Sequence, residues 1–164
     1  LDTAHKYAYQ YAMNNGYTKL ITMDADLSHD PKEIPVLINL LNKHEFVIGS
    51  RYMAGGKCEM QGLRLLMSIF GNKIIRLVLR LKCTEFTSSY RGFNIEKLQN
   101  FNLNIVKSKG YSFFMESIFR IAQKGYKIHQ IPITFKNRTK GESKIPKIEI
   151  LRTIKNLLIL KFIE

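Results

Sequence analysis

Lys19 to Pro31, Lys-Leu-Ile-Thr-Met-Asp-Ala-Asp-Leu-Ser-His-Asp-Pro, is the stretch that most narrows what this chain can fold into. Lys19 to Met23 is apolar and β-branched enough to read as a short buried strand, and the acids begin where that strand should stop. Asp30, Pro31 and Glu33 then suit a helix start, as N-cap, first and third helical residues. The acids therefore occupy a strand-to-helix loop. Asp24 and Asp26 fall at a strand's carboxyl end, the edge where an open α/β sheet binds ligands. Two carboxylates two residues apart are hard oxygen ligands, suited to Mg²⁺ or Mn²⁺ carrying a diphosphate. The same three-residue pattern also marks ordinary solvated turns and caps, so it needs support from the rest of the chain.

The flanking segments give that support in their rhythm. Asp2 to Asn15 has helical spacing and stops at Asn15-Gly16. After the acidic loop, Ile34, Leu37, Ile38 and Leu41 form an amphipathic stripe, and Phe46 to Gly49 reads as a second buried strand. Helix, strand, helix, strand predicts a mostly parallel sheet with flanking helices. Gly55-Gly56 breaks the chain before a long apolar stripe from Leu65 to Leu81, interrupted by Arg64, Lys73, Arg76 and Arg80. Thr84 to Phe93 reads as extended or looped, Ile95 to Phe101 as a short helix, and Phe113 to Lys124 as another ending at Gly125. Lys127 to Phe135 alternates, with Ile131, Ile133 and Phe135 on one face, and Pro132 argues for a sheet edge. Lys136 to Ser143 is polar. The last helix, Lys147 to Ile163, mixes Ile and Leu with Arg152, Lys155 and Lys161, a composition shared by membrane-lying helices and by core helices with solvated lysines.

Length and charge bound the function. One domain with a real core fits 164 residues at 45% hydrophobic. With 26 Lys and Arg against 13 Asp and Glu, the formal charge of +13 calls for an anionic partner: nucleic acid, a phosphorylated small molecule or an anionic membrane. Cys58 and Cys83 have neither zinc spacing nor the density of a disulfide scaffold, so reduced thiols are expected. No run of about eighteen apolar residues is present. The chain opens at Leu1 directly in a helical pattern, which reads as a fragment missing its own beginning.

Four further clusters carry residues unusual for scaffold. Gly49-Ser50-Arg51-Tyr52 ends the second strand, so Arg51 should project into the crevice of Asp24 and Asp26. Thr87-Ser88-Ser89-Tyr90-Arg91-Gly92-Phe93 sets hydroxyls beside an arginine, a phosphate cradle or a polar turn. Gly110-Tyr111 precedes Glu116, one acid on an otherwise apolar helix, either a dipole partner or a reacting group. Arg138, Lys140, Gly141, Ser143 and Lys144 form a basic segment able to clamp phosphate. Jointly they offer one acidic metal site and several cations around it.

In this order, the blocks Asp-Ala-Asp-Leu-Ser-His-Asp-Pro, Gly-Ser-Arg-Tyr, Thr-Ser-Ser-Tyr-Arg, Gly-Tyr-x-Phe-x-x-Glu and Ile-Pro-Ile-x-Phe-x-x-Arg-x-x-Gly-Glu-Ser-Lys resemble the dolichyl-phosphate mannose synthase group of family 2 glycosyltransferases. The resemblance runs from about Ile21 to Lys144. It implies a Rossmann-like A-type glycosyltransferase fold over residues 1–146, lacking its first strand, followed by a basic amphipathic helix over 147–164. It also implies transfer of mannose from GDP-mannose to dolichyl or polyprenyl phosphate, with inversion, at the cytoplasmic face of a membrane: endoplasmic reticulum in a eukaryote, plasma membrane in a prokaryote. By motif, Asp24 and Asp26 would hold Mg²⁺ or Mn²⁺ and the diphosphate, with Asp26, Arg91 and Arg138 as the catalytic residues. Ser28 falls where some relatives carry a metal-assisting Gln. Arg51 and Arg91 would face phosphate or sugar, and Arg138 with Lys144 would close over the phosphates. Membrane contact would rest on the last helix and basic surface, or on an anchoring subunit.

The sequence departs from the group's pattern in places. No counterpart of the opening strand, with its base- and ribose-binding acid, precedes Leu1. Met60 stands near an expected aromatic, and Phe114 where relatives often have Gln. A polyprenyl-phosphate transferase for another sugar, such as glucose, is the nearest alternative. A dehalogenase-type phosphatase shares Asp-x-Asp but leaves the later blocks unexplained. A basic nucleic-acid module would want aromatics among the cations of 127–135, where Ile and Pro stand, and no nucleic-acid partner is expected.

Overall fold

The structure, a computed structural model, describes residues 1–137 and 147–162. Helix α1 (Asp2–Asn14) leads through Gly16 into β1 (Lys19–Thr22). After the acidic loop, a 3₁₀ turn (Pro31–Glu33) opens α2 (Ile34–Leu41), and β2 (Phe46–Ser50) follows. A short β3 (Lys57–Cys58) precedes the long α3 (Gly62–Leu79). Then come β4 (Arg91–Asn94), α4 (Ser112–Gln123), β5 (Ile128–Pro132), β6 (Thr134–Phe135) and α5 (Lys147–Phe162).

The main sheet has the order β1-β4-β2-β5. β4 runs antiparallel to both β1 and β2, while β2 and β5 are parallel. Three of the four strands therefore point the same way, as the helix-strand rhythm predicts, with one reversed strand between them. That reversal positions the site. The loops after β1 and β2 leave the sheet at one edge, and the segment entering β4 arrives at the same edge, Arg91 standing opposite both Thr22 and Ile48. β5 takes the outer position, so Pro132 sits on an edge strand as expected, and the chain then steps at Ile133 into a second two-stranded sheet, β3-β6.

Each face of the sheet is covered. Phe46 and Ile48 of β2 face a core shared with Tyr9, Phe93, Phe113, Ile118, Leu157 and Leu160, from α1, β4, α4 and α5. Val47 faces the opposite way, against Leu37 and Leu41 of α2 with Tyr90, Ile131 and Ile133. Every residue of β2 is buried, as a central strand requires. Gly92 of β4 lets α2 sit close: a Cβ there would meet Leu41 Cδ1 at 2.8 Å.

Ile95 to Phe101 is not the helix that its apolar spacing predicts. One turn closes, Leu98 N–H donating to the Asn94 carbonyl at 3.0 Å, before the chain folds over with Leu98 and Phe101 both buried. Asn94 donates Nδ2 to the Leu41 carbonyl and accepts from Lys97 N–H, pinning the start of the segment to the sheet. α5 also belongs to this body, with Leu157 and Leu160 in the larger core.

His5 of α1 packs edge-on to Phe114 at 5.1 Å, and burial with the nearby Arg91 charge draws its pKa down to about 4. A histidine with a depressed folded pKa protonates first in the unfolded chain, so its contribution is whole above about pH 6.5 and is lost as pH falls toward 4. Urea unfolding at stepped pH should show a loss of about 1–2 kcal/mol across that window, allowing for its partial exposure. His5→Phe should flatten the slope; an unchanged slope would place the titration elsewhere.

Candidate functional site

The acidic loop is folded by its own side chains. Ser28 donates from both its N–H (3.1 Å) and its Oγ (2.5 Å) to Asp26 Oδ1. Between them Leu27 takes the left-handed region, φ 66°, an unfavourable conformation for a branched residue, and its side chain lies exposed. His29 folds back beneath Asp24: its Nδ1 accepts the Asp24 N–H at 3.1 Å and lies 3.9 Å from Asp24 Oδ2. The ring is buried against Tyr90 and Phe135, and burial holds its pKa below the usual value despite Asp24. A neutral ring accepting at Nδ1 carries its proton on Nε2. That Nε2 is buried without a hydrogen-bond partner among the described residues. Asp30 caps the following turn as predicted, accepting from Lys32 N–H at 3.0 Å.

The segment entering β4 works as a crossbar between the two strand ends. Glu85, fully buried, accepts from Arg51 Nε at 2.8 Å and Nη2 at 3.3 Å, from the Thr87 and Ser88 N–H groups, and from Thr87 Oγ1. Burial pushes its carboxyl up, but the Arg51 guanidinium and these hydrogen bonds prevail and hold it below the usual range. Arg51 reaches the crevice as expected, stacked over Phe135 at 4.5 Å, with its charge already matched by Glu85. At the other end Ser89 Oγ donates to Asp24 Oδ1 at 2.6 Å, while Thr22 Oγ1 holds the Ser89 carbonyl at 2.7 Å. One short loop thus ties the acid after β1 to the arginine after β2.

Arg91 departs from its expected place facing phosphate or sugar. Its guanidinium is 1% exposed and donates to the Phe86, Ser88 and Phe114 carbonyls and to Ser117 Oγ, with Phe114 stacked beneath. The cause is β4's central position, which turns this side chain under the sheet edge toward α4. Burial draws its pKa down to about 9, so it stays charged at neutral pH while bracing the crossbar from behind. Glu116 is likewise a structural acid, accepting from the Lys107 and Ser108 N–H groups and from Arg120. Arg138 and Lys144 lie outside the described residues.

A cavity of about 580 Å³ opens at this edge. Asp24, His29, Arg51, Ser68 and Ser89 line its polar end, and Met67, Phe70, Ile74, Ile154 and Leu157 its apolar flank. Arg64 lines it too, with its Nε buried and without a hydrogen-bond partner among the described residues. Sequence reading passes over Arg64 as a polar break in an apolar stripe. The available signal was its place: a cation in a helix's first turn opposes the macrodipole, and α3 has no acid there to offset it.

Among the described residues no group of three or more His, Cys, Asp or Glu could enclose a metal. Two aspartates remain, each with one carboxylate oxygen oriented by a serine hydroxyl. That donor set suits Mg²⁺ or Mn²⁺, which take one or two carboxylates and complete their shell with substrate phosphate and water. It would not suit a cation needing an all-protein cage.

Residues 4–101 match the family model for glycosyl transferase family 2. The chain belongs to this family. Its partly parallel sheet with helices on both faces is the family's Rossmann-like A-type fold, so the phosphatase alternative gives way. Over 146 residues, 88% of the chain, it is 36% identical to the undecaprenyl-phosphate mannosyltransferase of Micrococcus luteus, covering 60% of that protein. Over 147 residues, again 88% of the chain, it is 33% identical to the polyprenol monophosphomannose synthase of Mycolicibacterium smegmatis, covering 56% of it. The chain therefore spans little more than half the length of these curated relatives.

Glu85→Gln keeps the shape of the crossbar and removes the charge that Arg51 is buried against. A buried ion pair broken on one side costs about 3–5 kcal/mol, so urea unfolding should show a loss of that order. A loss below about 1 kcal/mol would mean that Arg51 finds water or another acceptor at no cost.

Proposed function

We propose that this family 2 glycosyltransferase chain transfers mannose from GDP-mannose to a dolichyl or other polyprenyl phosphate, with inversion, making a lipid-linked mannose donor. The observation that carries the reading is the two-ended cavity. Its polar end offers Asp24, with Asp26 two residues further along the same loop, for a metal-bound diphosphate, and its apolar flank on α3 and α5 offers room for a prenyl chain. Arg64 lines the same cavity, and its Nε–H has no partner among the described residues, which suits the acceptor's phosphate.

A bound Mg²⁺ or Mn²⁺ would neutralise charge developing on the departing nucleoside diphosphate. Asp24 and Asp26 would hold it, with Ser89 and Ser28 keeping each carboxylate in one orientation. A lipid phosphate is already anionic at pH 7 and can attack the anomeric carbon without a strong base, so positioning is the main task left to the protein. His29 shapes the acidic loop through the Asp24 N–H. Arg51, tied to Glu85, supplies a fixed rim, and Arg64 orients the acceptor. By the family resemblance, Arg138 and Lys144 would close over the phosphates.

Residues 1–146 would be the catalytic domain, and the helix over 147–164 its membrane-facing end. Leu63, Leu66, Phe70 and Leu77 of α3 are 64–79% exposed, as are Ile148, Leu151 and Phe162 of α5 at 61–77%. Lys73, Arg76, Lys155 and Lys161 stand on the same two helices, which suits an anionic membrane surface. No helix among the described residues is long and apolar enough to cross a membrane. Residence at the cytoplasmic face, directly or through an anchoring subunit, is part of the proposal.

The test is transfer of radiolabelled mannose from GDP-mannose to a polyprenyl phosphate, with Mn²⁺ and with chelator. Label should enter the lipid phase only with metal; label from UDP-glucose instead would reassign the donor. Asp26→Asn should lower turnover by about 100-fold or more with an unchanged unfolding midpoint, and near-normal turnover would remove the metal assignment. Arg64→Ala should raise KM for the lipid phosphate by about tenfold or more while KM for GDP-mannose holds. Equal effects on both substrates would place Arg64 outside acceptor binding.

A further inference from the structure

α3 carries a glycine in the middle of its length, Gly71, where alanine would be more favourable. Glycine inside an element is usually accounted for by a positive φ or by a close neighbour. Neither applies. Gly71 is absent from the positive-φ glycines, and a Cβ built on it would meet nothing within 4 Å. What its missing side chain leaves is room, because Gly71 lines the cavity.

Its place along the helix says what the room is for. Arg64, Ser68, Gly71 and Ile75 recur at spacings of four, three and four, so they share one face of α3, and all four line the cavity. Along that face the wall passes from guanidinium to hydroxyl to bare backbone to a buried isoleucine. Seven residues separate Arg64 from Gly71, about 10 Å along the axis. Phe114, Ile154 and Leu157 also line the cavity. An occupant with an anionic head at Arg64 and an apolar body extending along α3 would cross Gly71 about two isoprene lengths from its phosphate.

We propose that Gly71 is a specificity-determining residue, whose absent side chain makes the passage for the second isoprene unit of the lipid phosphate. This rests on the acceptor reading above, and the experiment separates the two. Binding of geranyl phosphate, with two isoprene units, and of dimethylallyl phosphate, with one, is measured calorimetrically on the full chain. Wild type should bind both, the longer more tightly. Gly71→Phe should weaken geranyl phosphate about tenfold or more, by displacing a buried isoprene unit, and leave dimethylallyl phosphate within about twofold. Gly71→Ala should leave both nearly unchanged. Undiminished binding of geranyl phosphate to Gly71→Phe overturns the proposal, and so does an equal loss for both ligands, which would place the change at the head group. Wild type binding neither ligand overturns the acceptor reading and the proposal with it. Thermal unfolding checks each variant, and Gly71→Leu replaces the phenylalanine if that chain does not fold.

Discussion

The site hangs on one buried ion pair, Glu85 with Arg51. A carboxylate with no exposure is tolerable only if its acceptor capacity is filled, and Glu85 meets that with a guanidinium, two backbone N–H groups and a threonine hydroxyl. The gain is positional. The loop entering β4 cannot slide along the sheet edge while Glu85 grips the residue after β2, so Ser89 is delivered to Asp24. Arg91 closes the arrangement from below, donating to the Phe86 and Ser88 carbonyls of the turn and to the Phe114 carbonyl of α4.

How much of this the sequence disclosed depends on the range of each signal. β1, the acidic loop and the Asp30 cap were legible because strand, acids, proline and cap residues lie within a dozen positions and each agrees with the others. The long helices were legible from periodicity, their ends shifting by one to three residues. β4 was not: four residues, Arg-Gly-Phe-Asn, carry no alternation, and what makes them a strand is pairing with partners about 45 and 70 positions earlier in the chain. The misplacement of Arg91 follows from that. An arginine in a polar loop reads as a phosphate ligand, whereas one at the start of a central strand must find its partners inside. Ile95 to Phe101 failed for the opposite reason: its local helical spacing was real, and burial of Leu98 and Phe101 on a folding-back chain overrode it.

The large positive charge reads differently once its members are placed. Arg51, Arg91 and Arg120 are spent internally, on Glu85, on carbonyls and on Glu116. These three cannot serve as the footprint of an anionic surface. Lys73, Arg76, Lys155 and Lys161 stand instead on the two helices with the exposed apolar stripes, so part of the charge excess is concentrated where an anionic lipid surface would meet it.

α3 has to satisfy two environments at once, and its composition follows. Toward solvent it presents Leu63, Leu66 and Leu77, an apolar stripe left exposed among the described residues, while the exposed Phe70 stands at the cavity's apolar flank. Toward the cavity it presents Arg64, Ser68, Gly71 and Ile75. Its periodicity alone reads as a core helix, because both faces are largely apolar and the first-turn arginine looks like an interruption. Asn72 decides which face turns inward: its Oδ1 accepts the Phe86 N–H at 2.7 Å and its Nδ2 donates to the Ser68 carbonyl. Fixing α3 to the crossbar at Phe86, one residue from Glu85, sets the helix's rotation by the same loop that fixes Asp24 and Arg51. The acid, the rim arginine and the cavity wall therefore move as one unit, and a substrate spanning the two ends of the cavity finds their relative placement settled before it binds.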